Sequence, residues 1–400
     1  SIMAVECGPI PFTLDHLNRL RELVLSRDEA HQVGYVLGQL SCRELDMKRR
    51  CVLCRKVIKP NKGRANKPRQ APAPVTGTGS AARPYSTVIQ PVPPRVFDID
   101  AALQQLNVSS TTKKTEEPKA PVIRCRFHPG QVNRQACQPS SQKWTCCRNY
   151  TRSKACASSE WHTPRVYAAG ELEMNWIFYT TPSPPSPLQF AAVVVIDCEM
   201  GIADLGDSEL IRVSVVDYFS RAILLDKLVM PDIKVAHYNT KYSGISRAMM
   251  EDALRRGNCL LGRDEARKAV LRFVGPDTIV VGHAGNQDLT SLRWIHPLVI
   301  DTLCLEKKRR KVDEGTNNDT STAQAAPQRK GSGPQQQARQ QPKGEAEDEA
   351  PANREAGMSL KALTSERLNR QIQIKGKGHD SVEDALATRD LLHWYMTHPA

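Results

Sequence analysis

The stretch Ala191–Gly201, AAVVVIDCEMG, constrains this chain more than any other. Its unbroken apolar, β-branched run has the pattern of a strand buried on both faces. The run ends in two carboxylates one residue apart, Asp197 and Glu199. Side chains two positions apart on a strand share a face, so both acids converge on one spot at the strand's end. Like charges placed together are costly unless they share a proton or hold a metal. Taken alone, the pair also fits an edge strand that runs into a solvated acidic turn.

A chain of 400 residues fits two or three domains. A hydrophobic fraction of 40% supports at least one large core, while 27 Pro and 23 Gly assign much of the chain to linkers. The formal net charge of +13 suits a polyanion, with nucleic acid the first candidate and an acidic membrane surface the second. No apolar run approaches the ~20 residues that span a bilayer, and no secretory leader pattern is present, so no membrane role is expected. The sequence opens at Ser1, as an excerpt would. The 12 cysteines fall largely into C-x-x-C, C-x-x-H and C-C groupings. Such groupings fit zinc ligands in a reducing, intracellular compartment better than a disulfide scaffold.

Residues 1–48 form a helical region, with Leu14, Leu17, Leu20 and Val24 at helical spacing. They carry no nameable chemistry and read as a small helical region packed on a neighbouring part of the chain. Residues 49–57 set Cys51 and Cys54 among basic residues. Residues 58–120 have linker composition, interrupted by a short helical segment at Asp98–Leu106. Residues 121–170 bring Cys125 and His128, with a Pro129-Gly130 turn, then Cys146, Cys147, Cys156 and His162. Together with Cys51 and Cys54 these are eight candidate ligands, enough for two closed tetrahedral zinc sites. A buried thiol is the competing role for any one of the cysteines. Cys137 fits no pair, and the spacer from Cys54 to Cys125 is long for a structural site.

An α/β domain comes next in two parts, 188–306 and 358–400. After the first strand, strands at Leu210–Val216 and Ala222–Val229 are joined by turns too short for parallel crossovers. Helices at Ser246–Arg256 and Asp264–Phe273 precede a strand at Thr278–Gly282, a helix near Asp288–Trp294 and a strand at Leu298–Asp301. That alternation implies parallel pairing, so the sheet is expected to be mixed. Residues 307–357 are polar and poor in aromatics, and are expected to be a disordered insert. The insert opens with Lys307–Val312, KKRRKV, the composition of a nuclear import signal, a nucleic-acid patch or a solvated charge run. An amphipathic helix, SVEDALATRDLLHWYMTH, closes the chain.

More chemistry stands beside the first pair. Asp288 follows GHAGNQ after the TIVVG strand, and His379 and Asp384 occur in GHDSVEDA. Four carboxylates and a histidine brought together suit two-metal phosphodiester hydrolysis, with Mg²⁺ or Mn²⁺ on hard oxygen ligands. Two ions about 4 Å apart stabilise both the attacking and the leaving oxygen. A histidine with an ordinary pKa of ~6.5 can accept the water proton near neutral pH.

The motifs DCEMG, VGHAGNQDL, LRWIHPLVIDT, MSLKAL and GHDSVEDA resemble the DEDDh exonucleases of the ribonuclease H-like superfamily, and among them the Rex-type eukaryotic RNA exonucleases. The C-x-x-H-P-G turn, W-x-C-C and closing Cys and His resemble a CHORD-like zinc module, placed before the catalytic domain as in fungal members of that family. The resemblance implies a mixed five-stranded sheet flanked by helices, preceded by a small zinc module and linkers. It also implies 3′-to-5′ hydrolysis of RNA ends. Asp197, Glu199, Asp288 and Asp384 would hold the two catalytic ions, and His379 would be the base. Cys198, Met200, Gly244, Ile245 and His283 would meet the 3′-terminal nucleotide. The implied partners are RNA 3′ ends and RNA-processing proteins, while the Lys307–Val312 run points to the nucleus as the location, with the cytoplasm second. Asn286-Gln287 before Asp288, Ala155 before Cys156 and the long insert depart from the family pattern. A DNA 3′-exonuclease of the same fold and a zinc-module adaptor are the competing functions.

Overall fold

The computed structural model describes residues 7–59, 122–133, 142–151, 153–183, 190–320, 357–374, 376 and 378–399. The Asp98–Leu106 segment, Cys137 and most of the 58–120 linker lie outside them. The chain divides into two compact units, Ser1–Ile58 with Thr163–Ala400, and Lys59–His162.

The larger unit is built on a mixed sheet. Its strands are β1 (Val193–Ala203), β2 (Ser208–Asp217), β3 (Ile223–Met230), β4 (Val235–His237), β5 (Cys259–Leu261), β6 (Ile279–Gly282) and β7 (Val299–Asp301). The spatial order is β5-β3-β2-β1-β6-β7, with β4 pairing β1 beyond that path. β1, β2 and β3 form the antiparallel meander that their short turns demand. β6 runs parallel to β1 and β7 parallel to β6. The expected five-stranded sheet is therefore β3-β2-β1-β6-β7. The short β4 and β5 extend it, and neither shows a strand-length apolar pattern in sequence.

Helices α1 (Leu14–Glu22), α2 (Arg27–Gln32), α3 (Arg247–Arg255), α4 (Gly262–Val270), α5 (Asn286–Ser291), α6 (Thr302–Thr320), α7 (Leu360–Leu368) and α8 (Ser381–Thr397) complete the unit. Alternation along β1 fills both faces of the sheet. Val193 and Val195 pack with Leu17 and Leu20 of α1 and with Ala385, Leu392 and Met396 of α8. Val194, Ile196 and Cys198 pack on the opposite side with Ala266 and Val270 of α4 and with Leu289. Strand periodicity carries Asp197 and Glu199 onto the Val193/Val195 face, so both acids are aimed toward α8. α8 is buried nearly all round, because α7 covers its far side through Leu363, Leu391 and Tyr395.

The boundary expected at Lys307 falls inside a helix, because α6 continues through Thr320. The cause is a buried acid. Glu306, fully buried, accepts from Arg310, Arg367 and Tyr395, and so holds α6, α7 and α8 together. Within the basic run, Lys308 pairs with Glu29 at 2.7 Å and Arg309 lies over the Trp394 ring. The N-terminal segment is tied in as well. Arg389 of α8, fully buried, donates to the carbonyls of Cys7, Gly8 and Tyr218. No helix among the described residues is long and apolar enough to cross a membrane.

In the smaller unit, 125–127 pairs antiparallel with 157–159, and 132–133 with 143–144. Among the described residues these two short ladders leave little apolar core, so their cohesion needs another source.

Candidate active site

The middle of β1, the end of β6 and the start of α8 meet at one cavity of 390 Å³, lined by Asp197, Cys198, Glu199, His283, Gln373, His379 and Asp384 among others; β1 continues to Ala203, so the acids expected at the strand's end stand within it. Glu199 and Asp384 are buried, while Asp197 keeps a partly open side. One ligating atom from each of Glu199, His379 and Asp384 lies within 4.8 Å of the other two. Asp288, on α5, sits a layer deeper, where its Oδ1 accepts the Cys198 N–H at 3.1 Å. The strand that presents Asp197 and Glu199 is thus fixed through the peptide between them. Ser214 of β2, opposite Asp197, is 2.7 Å from the Ser381 hydroxyl and docks the start of α8 on the sheet.

The electrostatics state the problem this site must solve. Burial, and then the charges of Asp288, Asp384 and Glu199, hold the Asp197 carboxyl well above the usual range. Burial likewise raises Asp288, against the opposing Cys198 hydrogen bond. Burial and the charge of Asp384 push Glu199 up to about 8, and burial takes Asp384 to about 6 despite a hydrogen bond from Gln373. Each of these acids is reluctant to ionise beside the others, and a cation is what such a set lacks. Asp384 Oδ1 is in addition buried with no hydrogen-bond partner among the described residues. Carboxylate oxygens around an unsatisfied oxygen suit a hard divalent cation such as Mg²⁺ or Mn²⁺.

His379 stands at the mouth, half exposed, with Nδ1 3.8 Å from Asp384 Oδ2. It lines both this cavity and a neighbouring one of 330 Å³, formed with Arg212, Gly244, Ile245, Met249 and Asp380. Burial and the Lys361 charge lower its pKa. The loop carrying it packs directly on the 240s segment. Gly378 and Gly244 both have positive φ, and a Cβ on Gly378 would collide with the Gly244 backbone. The His379 N–H also donates to the Tyr242 carbonyl.

Of the expected nucleotide contacts, Cys198 and His283 line the first cavity and Gly244 and Ile245 the second. Met200 lines neither of these two cavities, and its carbonyl accepts from Asn239. His283 bonds Thr302 Oγ1 through Nδ1 at 2.9 Å, and burial lowers its pKa. Two contributors carry no sequence signal of their own. Gln373 donates to Asp384 Oδ2 at 2.9 Å, and Arg212 pairs with both Asp226 and Asp380. Arg212 is legible only once β2 is paired with β1, opposite Glu199.

In the smaller unit His128, Cys146, Cys147 and Cys156 converge. His128 Nδ1 is 3.8 Å from Cys146 Sγ and 3.5 Å from Cys147 Sγ, and Cys146 Sγ is 3.5 Å from Cys156 Sγ. Ligands about 2.3 Å from a tetrahedral zinc stand roughly 3.8 Å apart, so the spacing fits. Trp144 stacks on the His128 ring with centroids 4.4 Å apart and fixes its orientation. The Pro129-Gly130 turn is as tight as expected, since a Cβ at Gly130 would collide with the Cys146 backbone. Cys125 is buried on the short ladder of this unit, where His162 also belongs, and Cys51 and Cys54 belong to the larger unit.

The sheet order, the reversed second strand and the acidic pocket beside the middle of β1 together define a ribonuclease H-like domain. No family model matches the sequence. It is 25% identical over 310 residues to RNA exonuclease 3 of Candida albicans, covering 76% of this chain and 61% of that protein. It is 28% identical to RNA exonuclease 3 of Emericella nidulans, covering 67% of this chain and 40% of that one. It is 34% identical to the bovine interferon-stimulated 20 kDa exonuclease-like 2, over 50% of this chain and 45% of the relative. The chain is thus similar to proteins named as RNA exonucleases, and it spans less than two thirds of the length of each of these three proteins. Among solved structures it is similar to the Neurospora crassa Pan2 catalytic unit, with a TM-score of 0.36 and 19% identity over 56% of this chain and 32% of that one.

Proposed function

We propose that the chain is a DEDDh-type 3′-to-5′ exoribonuclease that hydrolyses phosphodiester bonds at RNA 3′ ends. The observation that carries this reading is the single cavity lined by Asp197, Glu199, Asp384 and His379, with Asp288 directly behind it. Asp197, Glu199, Asp288 and Asp384 would hold two Mg²⁺ or Mn²⁺ ions, which when bound supply an acidified water and charge neutralisation of the phosphate. His379 is neutral at pH 7 because its pKa is lowered, so it can take the water's proton. Nδ1 lies beside Asp384, which leaves Nε2 as the accepting atom. The second cavity, with Gly244 and Ile245 along its wall, would seat the terminal nucleotide so that its phosphate reaches the acids. RNA as the polymer rests on the names of the relatives and on the net charge of +13, and a role in 3′-end processing with other processing proteins rests on the motif resemblance alone.

The test is incubation of the purified chain with 5′-labelled RNA and DNA of one sequence, in Mg²⁺ or EDTA. Stepwise shortening of RNA in Mg²⁺, and none in EDTA, is the expected result. Faster shortening of DNA would make the chain a DNA exonuclease, and no shortening of either would favour an adaptor.

Zinc on His128, Cys146, Cys147 and Cys156 belongs to the same reading, as a closed structural site that replaces a hydrophobic core. Elemental analysis of protein kept reduced is expected to give at least one zinc per chain, and close to two if all eight candidate ligands read from the sequence are engaged. A value below one half would remove the module. The nuclear location rests on the Lys307–Val312 run alone. Microscopy of the full chain beside a version with that run changed to Ala tests it, and identical distributions would end it.

A further inference from the structure

The helical N-terminal segment, which shows no chemistry in its sequence, reaches the floor of the acidic site. Tyr35 follows α2 and is 4% exposed. Its hydroxyl donates to Asp301 Oδ2 at 2.8 Å. The other oxygen of Asp301 accepts the N–H groups of Ala284 at 3.1 Å and Leu303 at 3.0 Å. Ala284 belongs to the His283–Gly285 loop from which α5 and Asp288 start, and it sits at φ +55°, a left-handed conformation unfavourable for a residue with a Cβ. A Cβ at Gly285 would come within 3.1 Å of the Tyr35 hydroxyl, and one at Gly34 within 3.1 Å of Asn286 Nδ2. The segment is anchored at this position by two further contacts. The Leu25 N–H donates to the Val299 carbonyl of β7 at 2.8 Å, and Glu29 pairs with Lys308 of α6.

We propose that Tyr35 is a positioning residue: through Asp301 it holds the strained 283–285 loop, and so sets where Asp288 stands behind Asp197. The stretch around Tyr35, beyond α2, is then part of the hydrolytic apparatus, while α1 serves the fold. A core-filling role would need only the aromatic ring. The hydroxyl is needed only because Asp301, buried at 2% exposure, must be satisfied on both oxygens to grip the loop.

This inference rests on the acidic cavity being a metal site, and the experiment separates the two. Mn²⁺ binding to the full chain is followed by calorimetry, in parallel with melting curves and with kcat and KM on an RNA oligonucleotide. Tyr35→Phe keeps the ring, so the fold is expected to survive. Mn²⁺ affinity should weaken by about five- to tenfold and kcat should fall about tenfold with KM unchanged. Leu17→Ala, which loosens the same segment at α1 away from Asp301, should lower the melting temperature and leave Mn²⁺ affinity alone. Wild-type Mn²⁺ affinity in Tyr35→Phe would overturn the proposal. So would an equal weakening in Leu17→Ala, since that would reduce Tyr35 to packing. If Asp288→Asn also binds Mn²⁺ like the wild type, the metal-site reading itself is overturned.

Discussion

Asp197→Ala and Asp384→Ala are each expected to reduce Mg²⁺-dependent nucleotide release to background while the protein stays folded. Each change removes a carboxylate from a site whose only means of holding a divalent cation is charge. The fold should survive because these acids oppose it when no metal is bound. Glu199, with its proton affinity raised to about 8, binds more protons folded than unfolded. A raised folded-state pKa on an acid gives stability that is present at low pH and declines as pH rises from the unfolded value of about 4.3 toward 8. Metal-free protein should therefore melt lower at pH 8 than at pH 5, and Mg²⁺ should restore the loss at pH 8. Deleting one repelling charge should leave the melting temperature in EDTA at pH 8 equal to the wild type's or higher. Undiminished nucleotide release by both purified variants would sink the assignment of these acids as metal ligands. A collapse of both variants in EDTA would instead show that the carboxylates are structural.

His379→Ala is expected to lose about 10²–10⁴-fold in turnover, the usual range for a general base, with Mn²⁺ affinity largely kept. The pH profile gives the sharper test. Burial and Lys361 depress the His379 pKa, so the ring is neutral at pH 7 and gains its proton only as pH falls. Wild-type turnover should rise with pH below about 6.5 and then level off, and that acid limb should vanish in the variant. Asp380 is committed elsewhere: it caps α8 by accepting the Val382 N–H at 3.0 Å and pairs with Arg212 at 3.1 Å. Near-wild-type turnover by His379→Ala at neutral pH would mean that bound ions alone activate the water.

Much of this site was legible in the sequence because it rests on short-range geometry. The unbroken apolar run Val193–Ile196 names the buried strand, and strand periodicity points the two acids to one face. GHDSVEDA puts His379 in a loop and Asp384 in the first turns of a helix, as found. Paired spacing also singled out His128, Cys146, Cys147 and Cys156, although the grouping of ligands depends on folding and not on spacing. What stayed hidden was long-range. Tyr35 meets Asp301 across 266 positions, and Gln373 has no motif that marks it as a partner of Asp384. Lys307–Val312 is a third case. Its composition reads as solvated, and only the burial of Glu306 shows why a helix persists through it.

The same buried Glu306 changes what the insert means for the domain. With α6, α7 and α8 bound to one carboxylate, the helices that flank the interruption are held in place by the domain itself. Lengthening a tether between fixed points adds only about 0.6 kcal/mol per doubling. Evolution can therefore write, erase or recompose sequence at this seam almost freely, and regulation could be added there without disturbing the catalytic floor.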